Sequence, residues 1–253
     1  MKRHRSLAVF LAAAFAAAPT FADEPCPCAE KKAPPPPALT GGIAAGLALN
    51  SGNTDTTNFN FSLGLKYDPK TRNVVKLDGY YLYGQTDDVT STQKASVVLR
   101  DEYSFTERFF GYAEIGYLHD RFKGITYLIT PIVGAGYKVV KTKTFTLSLD
   151  GGVGMAIEKD EGYPSDTSGA FKVGDSLEWQ FSAWAKLTQN AYMLWKMDDT
   201  SDYLFHFDLG VVSSLSKALE LRIGYMTDYK NQPQPATLKK TDRSLVAAVG
   251  YKF

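Results

Sequence analysis

The sequence has few of the residues on which many enzymes and disulfide-rich domains depend. It contains 2 cysteines and 3 histidines in 253 residues, with 28 basic residues against 27 acidic ones. This balanced charge gives no indication of a nucleic-acid partner. The cysteines cannot supply the four ligands of a tetrahedral metal site, and the sequence contains no phosphate loop, dinucleotide fingerprint or zinc motif. We therefore predict neither a metal nor a cofactor.

Long hydrophobic runs are also scarce, and the longest lies at the N-terminus. Residues 7–18 are apolar, follow Lys2, Arg3 and Arg5, and precede a small-residue segment that ends at Ala22. This arrangement predicts a secretory signal peptide, residues 1–22. A membrane anchor is the less favoured alternative, because the run is short for a transmembrane helix. Removing residues 1–22 takes away three basic and no acidic residues, which leaves a formal charge of −2.

The segment of residues 23–39 has an unusual composition. Cys26 and Cys28 stand in "EPCPC", and "KKAPPPPALT" follows them. In an oxidising envelope compartment we expect these cysteines to form a disulfide bond within or between chains, rather than a free reactive thiol. The proline run predicts a stiff periplasmic spacer that cannot join a sheet. The folded domain is therefore expected at residues 40–253.

Sustained helical periodicity is absent after residue 40, and alternation of period two takes its place. In "TNFNFSLGLKY" the apolar residues from Phe59 to Tyr67 fall on one face, and the polar residues from Asn58 to Lys66 on the other. Twelve such segments predict twelve strands, at about 40–50, 57–67, 74–84, 94–104, 109–119, 126–139, 144–157, 173–186, 191–198, 203–213, 218–229 and 242–253.

The connections between these segments are predicted to alternate in length. Five of them, such as "DPKTRN" and "LTQN", read as tight turns, whereas those such as "QTDDVTSTQ" and "EKDEGYPSDTSGAFK" read as long polar loops. Outer-membrane barrels have short turns at one rim and long loops at the other, and an even strand count returns both termini to the short-turn side. The sequence thus predicts an all-β protein, a 12-stranded antiparallel up-and-down β-barrel in the bacterial outer membrane with both termini in the periplasm.

The side chains on the two faces of each strand indicate which face points toward the membrane. Aromatic residues cluster near strand ends, as expected for girdles at the two membrane interfaces, and the opposite face is rich in glycine and small polar residues. That face would make a poor hydrophobic core. We therefore expect the Phe59 face to contact outer-membrane lipid and lipopolysaccharide, and the Asn58 face to line the lumen.

The final residues "LVAAVGYKF" place Tyr251 and Phe253 in phase on one face of the last strand. This ending resembles the signal by which the barrel assembly machinery recognises outer-membrane proteins. It predicts an assembly role for these two residues.

Charged residues on the lumen face are the first candidate functional residues. Strand counting places Asp78, Arg100 and Glu114 on neighbouring strands at one height, and Arg222 beside Asp208. These groups could be structural ion pairs that brace a narrow interior, which is the favoured interpretation, or a constriction that sorts solutes by charge.

A second set of lumen candidates has no basic residue at its predicted level. Asp150 and Glu178 fall on the seventh and eighth predicted strands, and together they predict a lumen that favours cations or neutral solutes over anions. A twelve-stranded barrel is wide enough for an aqueous path but does not guarantee one.

Enzymatic activity is not predicted. Outer-membrane lipid hydrolases need a serine and a histidine within hydrogen-bond reach. His206 is predicted to face the lumen beside Asp208, and His119 to face outward with no serine following it closely. Two functions remain. One is a small passive pore for ions or solutes, and the other is a non-conducting structural or adhesive barrel whose acidic loops meet divalent cations at surface lipid.

Three segments carry a resemblance to a known family. "LNSGNTDTTNFNFSLGLKY", "HDRF" at residues 119–122 and "GAGYKVV" at residues 134–140 resemble a family of salt-induced outer-membrane proteins, a domain of unknown function. The similarity extends from about residue 41 to residue 253. It implies an outer-membrane location and a link to ionic or osmotic stress, but no catalytic residues.

Overall fold

The computed structural model describes residues 38–51, 56–86 and 89–253. Twelve strands form most of this part of the chain: β1 (Ala38–Ser51), β2 (Thr56–Asp68), β3 (Asn73–Thr86), β4 (Val89–Ser104), β5 (Phe109–Asp120), β6 (Ile125–Lys141), β7 (Phe145–Asp160), β8 (Asp166–Trp179), β9 (Ala185–Lys196), β10 (Tyr203–Ser214), β11 (Leu219–Lys230) and β12 (Thr241–Lys252). Each strand pairs antiparallel with its sequence neighbours, and β1 pairs with β12. The predicted closed up-and-down barrel is confirmed.

Helix is confined to one short turn within the described ranges, a 3-10 helix at Arg121–Lys123. Among these residues no helix has the length and hydropathy needed to cross a membrane. The signal peptide, the two cysteines and most of the proline-rich spacer lie outside the described residues, and those predictions remain untested.

The two ends of the barrel differ in their connections. We call one the turn end; its connections are residues 69–72, 105–108, 142–144, 180–184 and 215–218, and both β1 and β12 have their outer ends there. We call the other the loop end. Among its described connections, residues 121–124, 161–165 and 197–202 are short and only residues 231–240 form a long loop. The predicted alternation of loop lengths is therefore mostly wrong, because the strands continue into the polar segments at this end.

Two strands are displaced from their predicted positions. The eighth was predicted at 173–186 and lies at Asp166–Trp179, and the ninth was predicted at 191–198 and lies at Ala185–Lys196. The small polar residues of "DTSGAFK" resemble a loop, but Ser168 and Ala170 pack into the lumen as buried residues. "LTQN" resembles a turn, yet it forms the middle of β9. The lack of apolar alternation at these positions caused both errors.

The predicted facing of the strands is confirmed. The side chain of Phe59 is 56% exposed, whereas that of Asn60 is 2% exposed, on opposite faces of β2. The outer face carries large exposed apolar side chains around the barrel, such as Val133, Val153 and Val249. In a soluble protein such a continuous apolar belt would be exposed to water at a large cost in free energy, so the belt is a surface for lipid.

Aromatic side chains border this belt at both edges. Tyr67, Tyr103 and Phe109 are exposed near the turn end, and Tyr81 and Tyr117 are exposed toward the loop end. Girdles of this kind lie at the two interfaces of a bilayer.

Glycines on the lumen face make room for large side chains from neighbouring strands. At Gly136 an added Cβ would lie 2.2 Å from Cζ of Phe110, so no other residue leaves space for that ring. Phe110 and Tyr112 belong to a buried apolar cluster inside the barrel, together with Ile125, Leu128, Ile132, Ala156, Ala170, Leu194 and Leu204. Part of the lumen is therefore filled, although its sequence is rich in glycine.

Candidate functional site in the barrel lumen

Arg100 on β4 is the centre of a charged cluster on the lumen wall. Its guanidinium donates to Glu102 (2.8 Å), to Glu114 on β5 (3.1 Å) and to Asp150 on β7 (3.0 Å). Lys172 on β8 pairs with Glu114 from the other side. We call these five residues the Arg100 cluster. The guanidinium also lies 3.7 Å from the centre of the Tyr112 ring, which adds a cation–π contact.

The cluster confirms one predicted neighbour of Arg100 and corrects another. Arg100 and Glu114 pair as expected. Asp78, however, stands opposite Val98 rather than Arg100, and it forms no ion pair within the described residues. It lies apart from the Arg100 cluster.

The predicted acidic pair of Asp150 and Glu178 is wrong. Asp150 stands opposite Gly174 on β8, so Glu178 is four residues, or about 13 Å, farther along that strand. Asp150 has Arg100 as its partner, and Glu178 pairs with Lys186 at 3.2 Å. The error followed from the displacement of β8, which removed Lys172 from the predicted strand altogether.

A second group of charges crosses the lumen itself. Lys94 on β4 pairs with Asp120 on β5 (3.0 Å) and with Asp228 on β11 (2.6 Å), although β4 and β11 are five positions apart in the closed barrel. The carboxylate of Asp228 also accepts a hydrogen bond from Nδ1 of His206 at 2.8 Å. We call these four residues the cross-lumen bridge. The Lys94 side chain is only 7% exposed, so the bridge excludes water where it crosses.

His206 faces the lumen beside Asp208, as predicted, with 3.6 Å between Nε2 and the carboxylate. Its nearer partner is Asp228, which the sequence analysis did not single out. The ring also stacks on Tyr192 at 5.1 Å between centroids. His206 is thus a buried component of the bridge, and this environment matches the predicted polar-network histidine.

The predicted pairing of Arg222 with Asp208 is wrong. Asp208 stands opposite Met226, four residues along β11 from Arg222. Arg222 instead binds Glu220 on its own strand, at 2.5 Å from Nη2 to the carboxylate. The two charges share a lumen wall at different heights.

A third set of charges lies nearer the loop end. Lys230 pairs with Glu158 (2.6 Å) and Asp160 (3.0 Å), and Lys196 pairs with Glu158 (2.7 Å) and Asp202 (2.8 Å). A small cavity is lined by four of these side chains, Glu158, Lys196, Asp202 and Lys230, and by Leu128, Leu194 and Leu204. Glu158 and Asp160 belong to the segment that was predicted to be an acidic surface loop, and the structure turns both of them toward Lys230.

The loop of residues 231–240 reaches across the loop end of the barrel. It joins β11 to β12, and it contacts the connection between β5 and β6, which lies on the opposite side of the closed sheet. Lys123 donates from Nζ to the carbonyl oxygen of Lys240 at 2.7 Å. Gly124 lies so close that a Cβ there would be 1.8 Å from the carbonyl oxygen of Gln234. We call residues 231–240 the crossing loop.

The lumen toward the turn end is different. Asp78 on β3, Ser176 on β8 and Asn190 on β9 face inward and are exposed, and the side chain of Asp208 on β10 is 33% exposed. These residues surround a water-accessible space that we call the vestibule. It lies toward the turn end, beside the buried Arg100 cluster, and on the turn-end side of the cross-lumen bridge.

Sequence reasoning missed the lysines more than any other residue type. Lys76, Lys94, Lys172 and Lys230 all face the lumen and all hold carboxylates there. The alternation of the strands could have identified them, because each of these lysines lies on the same face of its strand as the lumen acids. These lysines neutralise several of the lumen acids, so the predicted preference of the lumen for cations stays a prediction.

The remaining predicted residues lie away from these clusters. Tyr251 and Phe253 face outward at the turn end with exposures of 51% and 54%, and backbone hydrogen bonds of 3.0 Å join Phe253 to Gly41. His119 Nδ1 lies 2.9 Å from the carbonyl oxygen of Thr126. Within the described residues, no group of three or more His, Cys, Asp or Glu side chains is arranged to hold a metal ion.

The barrel is similar to solved outer-membrane channels. It aligns with the NanC porin at a TM-score of 0.55 and 9% identity, covering 85% of this chain and 100% of that chain. The KdgM porin aligns at a TM-score of 0.51 and 10% identity, covering 84% of this chain and 99% of that chain. The COG4313 outer membrane channel from Pseudomonas putida F1 aligns at a TM-score of 0.51 and 12% identity, covering 90% of this chain and 100% of that chain. At such identities the likeness establishes the fold alone.

Sequence comparison identifies a family without assigning a function. A search of curated proteins finds no significant match. The family model described as "Protein of unknown function, DUF481" matches residues 43–253. This description contains no reference to salt, so the salt-induced part of the resemblance stays a prediction. Because the match covers most of the chain and nearly all of the barrel, the chain belongs to the DUF481 family of proteins of unknown function.

Proposed function

We propose that this barrel is a narrow channel of the bacterial outer membrane that passes ions and small hydrophilic solutes. The observation that carries the proposal is the vestibule, whose inward-facing polar side chains are exposed to water along several strands. A barrel with a purely structural role has no need for a hydrated interior. The cross-lumen bridge and the crossing loop lie on the loop-end side of the vestibule, so the structure corresponds to a closed or strongly constricted state.

The location is supported by the outer surface. The apolar belt and its aromatic borders suit a bilayer, and the fold resembles that of outer-membrane porins and channels. We propose that lipid and lipopolysaccharide contact this belt, that both termini are periplasmic, and that the assembly machinery recognises the end of β12. The turn end would then open toward the periplasm. We propose no catalytic role.

The proposed selectivity is weak, because most lumen charges are paired. Asp78 and Asp208 are the exceptions in the vestibule, since neither forms an ion pair with a lysine or arginine of the described chain. In a water-filled tube with apolar walls, such carboxylates attract cations. We propose that these two residues, rather than Asp150 and Glu178, give the channel a mild preference for cations.

Planar-bilayer recording of the folded protein tests the proposal. The informative variant replaces residues 233–238 of the crossing loop by Asn-Gly, which removes the contact of Gln234 with Gly124 on the opposite rim. We expect the wild type to conduct weakly and the shortened variant to conduct several-fold more. The matched control shortens residues 161–165, a connection at the same end, and should leave the conductance unchanged.

A non-conducting structural barrel is the second candidate, and the buried cross-lumen bridge favours it. If neither the wild type nor the shortened variant conducts in correctly folded form, the channel proposal fails and this candidate replaces it. The adhesive version of this role loses support, because Glu158 and Asp160 are held inside the barrel. A role in salt stress rests on the resemblance alone, and growth of a deletion strain at low and high salt would test it.

A further inference from the structure

The outer face of β8 and β9 carries two polar side chains within the apolar belt. Asp175 lies between Val173 and Leu177 on the outward face of β8, and it stands opposite the exposed Leu149 of β7. Gln189 occupies the outward face of β9 and stands opposite Leu177. Both therefore point toward the lipid rather than toward the lumen.

These two residues lie at the middle of the belt. Asp175 is four residues from Phe171 on the loop-end side and four residues from Trp179 on the turn-end side, about 13 Å along the strand in each direction. Phe171 stacks on Trp195 at 4.7 Å, and Trp179 contacts Phe181 edge-on at 5.7 Å, so both ends of this interval are aromatic borders. The carboxyl group is as far from either interface as the strand allows.

Asp175 and Gln189 are neighbours, yet neither has a partner within the described part of the chain. Asp175 stands opposite Ala191, two residues beyond Gln189, which makes the two side chains a diagonal cross-strand pair about 7–8 Å apart. Neither forms a hydrogen bond or an ion pair with any described residue. In hydrocarbon there is no water to replace those bonds.

Unpartnered polar groups at this depth are costly, and they are seldom present without a partner from elsewhere. Among the described strand residues, the other outward carboxylate is Asp101, which lies beside the girdle residue Tyr103 and within 3.5 Å of the Asn73 amide. Asp175 has neither an interfacial position nor a hydrogen bond to any donor among the described residues. It therefore requires a partner that the isolated barrel does not supply.

We propose that the β8–β9 face is a contact surface between two copies of this chain within the membrane. A two-fold axis between the two faces brings Asp175 of each copy to Gln189 of the other. The chemistry is self-complementary, because the amide NH2 donates to a carboxylate and the amide oxygen accepts from a carboxylic acid. Ala191, beside the pair, has a side chain small enough for close approach, and polar groups of this kind hold membrane segments together.

The association of the full mature chain in detergent micelles, measured by sedimentation equilibrium with reductant present, tests the proposal. The reductant removes any contribution from Cys26 and Cys28. We expect a reversible dimer for the wild type. Asp175→Leu and Gln189→Leu should each raise its dissociation constant about tenfold, and the double variant should show no further weakening, because both residues form the same contacts.

Asp101→Leu is the matched control, since it also removes an outward carboxylate and should leave the dissociation constant unchanged. Leucine is well suited to a lipid-facing position, and heat-modifiable migration verifies that each variant is folded. A wild type that remains monomeric over the whole concentration range overturns the proposal. So does an Asp175→Leu variant that associates as strongly as the wild type.

Discussion

The two halves of the lumen are built from the same residue types but in opposite ways. Toward the loop end, Lys94, Asp120, Glu158 and Lys230 are buried and paired, and the crossing loop covers them. Toward the turn end, Asp78 faces the same interior with its side chain in water. A charge inside this barrel is therefore either part of a water-excluding network or part of a hydrated wall.

The difference shows that lumen composition alone does not determine whether a barrel conducts. Both halves contain acids and bases, but the ion pairs of the Arg100 cluster join strands at most three positions apart, from β4 to β7 and from β5 to β8. Lys94 spans the interior to Asp228, whereas Lys76 pairs with Glu102 on the adjacent strand. The lumen is therefore closed where an ion pair extends from one wall of the barrel to the other, whatever the number of charges on the wall.

The largest expected effect comes from breaking the bridge. Lys94→Ala leaves Asp120 and Asp228 buried without their shared cation, and breaking a buried ion pair in this way costs about 3–5 kcal/mol of unfolding free energy. Urea titration of the folded protein in lipid vesicles, followed by tryptophan fluorescence, measures the loss.

Lys76→Ala is the matched control for this prediction. Lys76 is also a lumen-facing lysine bound to a carboxylate, at 2.9 Å, but its side chain is 37% exposed. Exposed pairs contribute about 0–1 kcal/mol. Equal losses for the two variants would show that the two halves of the lumen do not differ in the way described.

A smaller effect is expected from two serines of the same strand. Ser168 is 5% exposed in the loop-end half, and Ser176 is exposed in the vestibule. Ser168→Met should cost about 1–3 kcal/mol through overpacking, whereas Ser176→Met should change the unfolding free energy by less than about 0.5 kcal/mol. The same titration measures both, and a larger loss for Ser176→Met would place the hydrated half at the wrong end.

Much of the fold could be predicted from the sequence because alternation is a local signal. The apolar residues from Phe59 to Tyr67 alternate without interruption, and β2 lies where they predict. The signal fails where the outer face is not apolar or the inner face is small. Gln189 interrupts the alternation in β9, and Ser168 and Ala170 gave β8 the composition of a loop.

The candidate site was harder to predict, because it depends on contacts between distant strands. Arg100 and Glu114 occupy adjacent strands, and their pairing followed from register alone. The pair of Lys94 with Asp228 joins residues 134 positions apart in sequence. No local pattern indicates how far a lysine side chain extends across a lumen, so the bridge appears only once the barrel is closed.

The vestibule half also predicts a change in ion selectivity. Asp78→Asn removes a carboxylate without a cationic partner, and at about 8 Å in water a unit charge contributes about 0.5 kcal/mol to the energy of a passing ion. Because the carboxylate favours a cation and disfavours an anion by this amount, we expect the cation-to-anion permeability ratio in a planar bilayer to fall about fivefold. Asp150→Asn is the control, because Arg100 already neutralises Asp150, and an equal or larger effect there would contradict the assignment of the vestibule.

The smallest expected effect concerns a contact outside the strands that helps to hold the crossing loop. Asp199, in the 197–202 connection, accepts hydrogen bonds from the hydroxyl (2.6 Å) and backbone amide (2.9 Å) of Ser201, and it accepts one from Gln232 of the crossing loop at 3.1 Å. The hydroxyl and amide of Ser201 hold the pKa of the Asp199 carboxyl below its ordinary value of 3.8.

Because the pKa of Asp199 is lowered in the folded state, the stabilisation by these hydrogen bonds is present above the ordinary pKa and is lost as the pH falls through the pKa of the folded state. The pH titration of the Ser201 amide by NMR should therefore have a midpoint below 3.8, and Ser201→Ala should move the Asp199 titration, followed through its own amide, back toward 3.8. A wild-type midpoint at or above 3.8 would mean that these bonds do not form in solution, and that Asp199 does not help to hold the crossing loop.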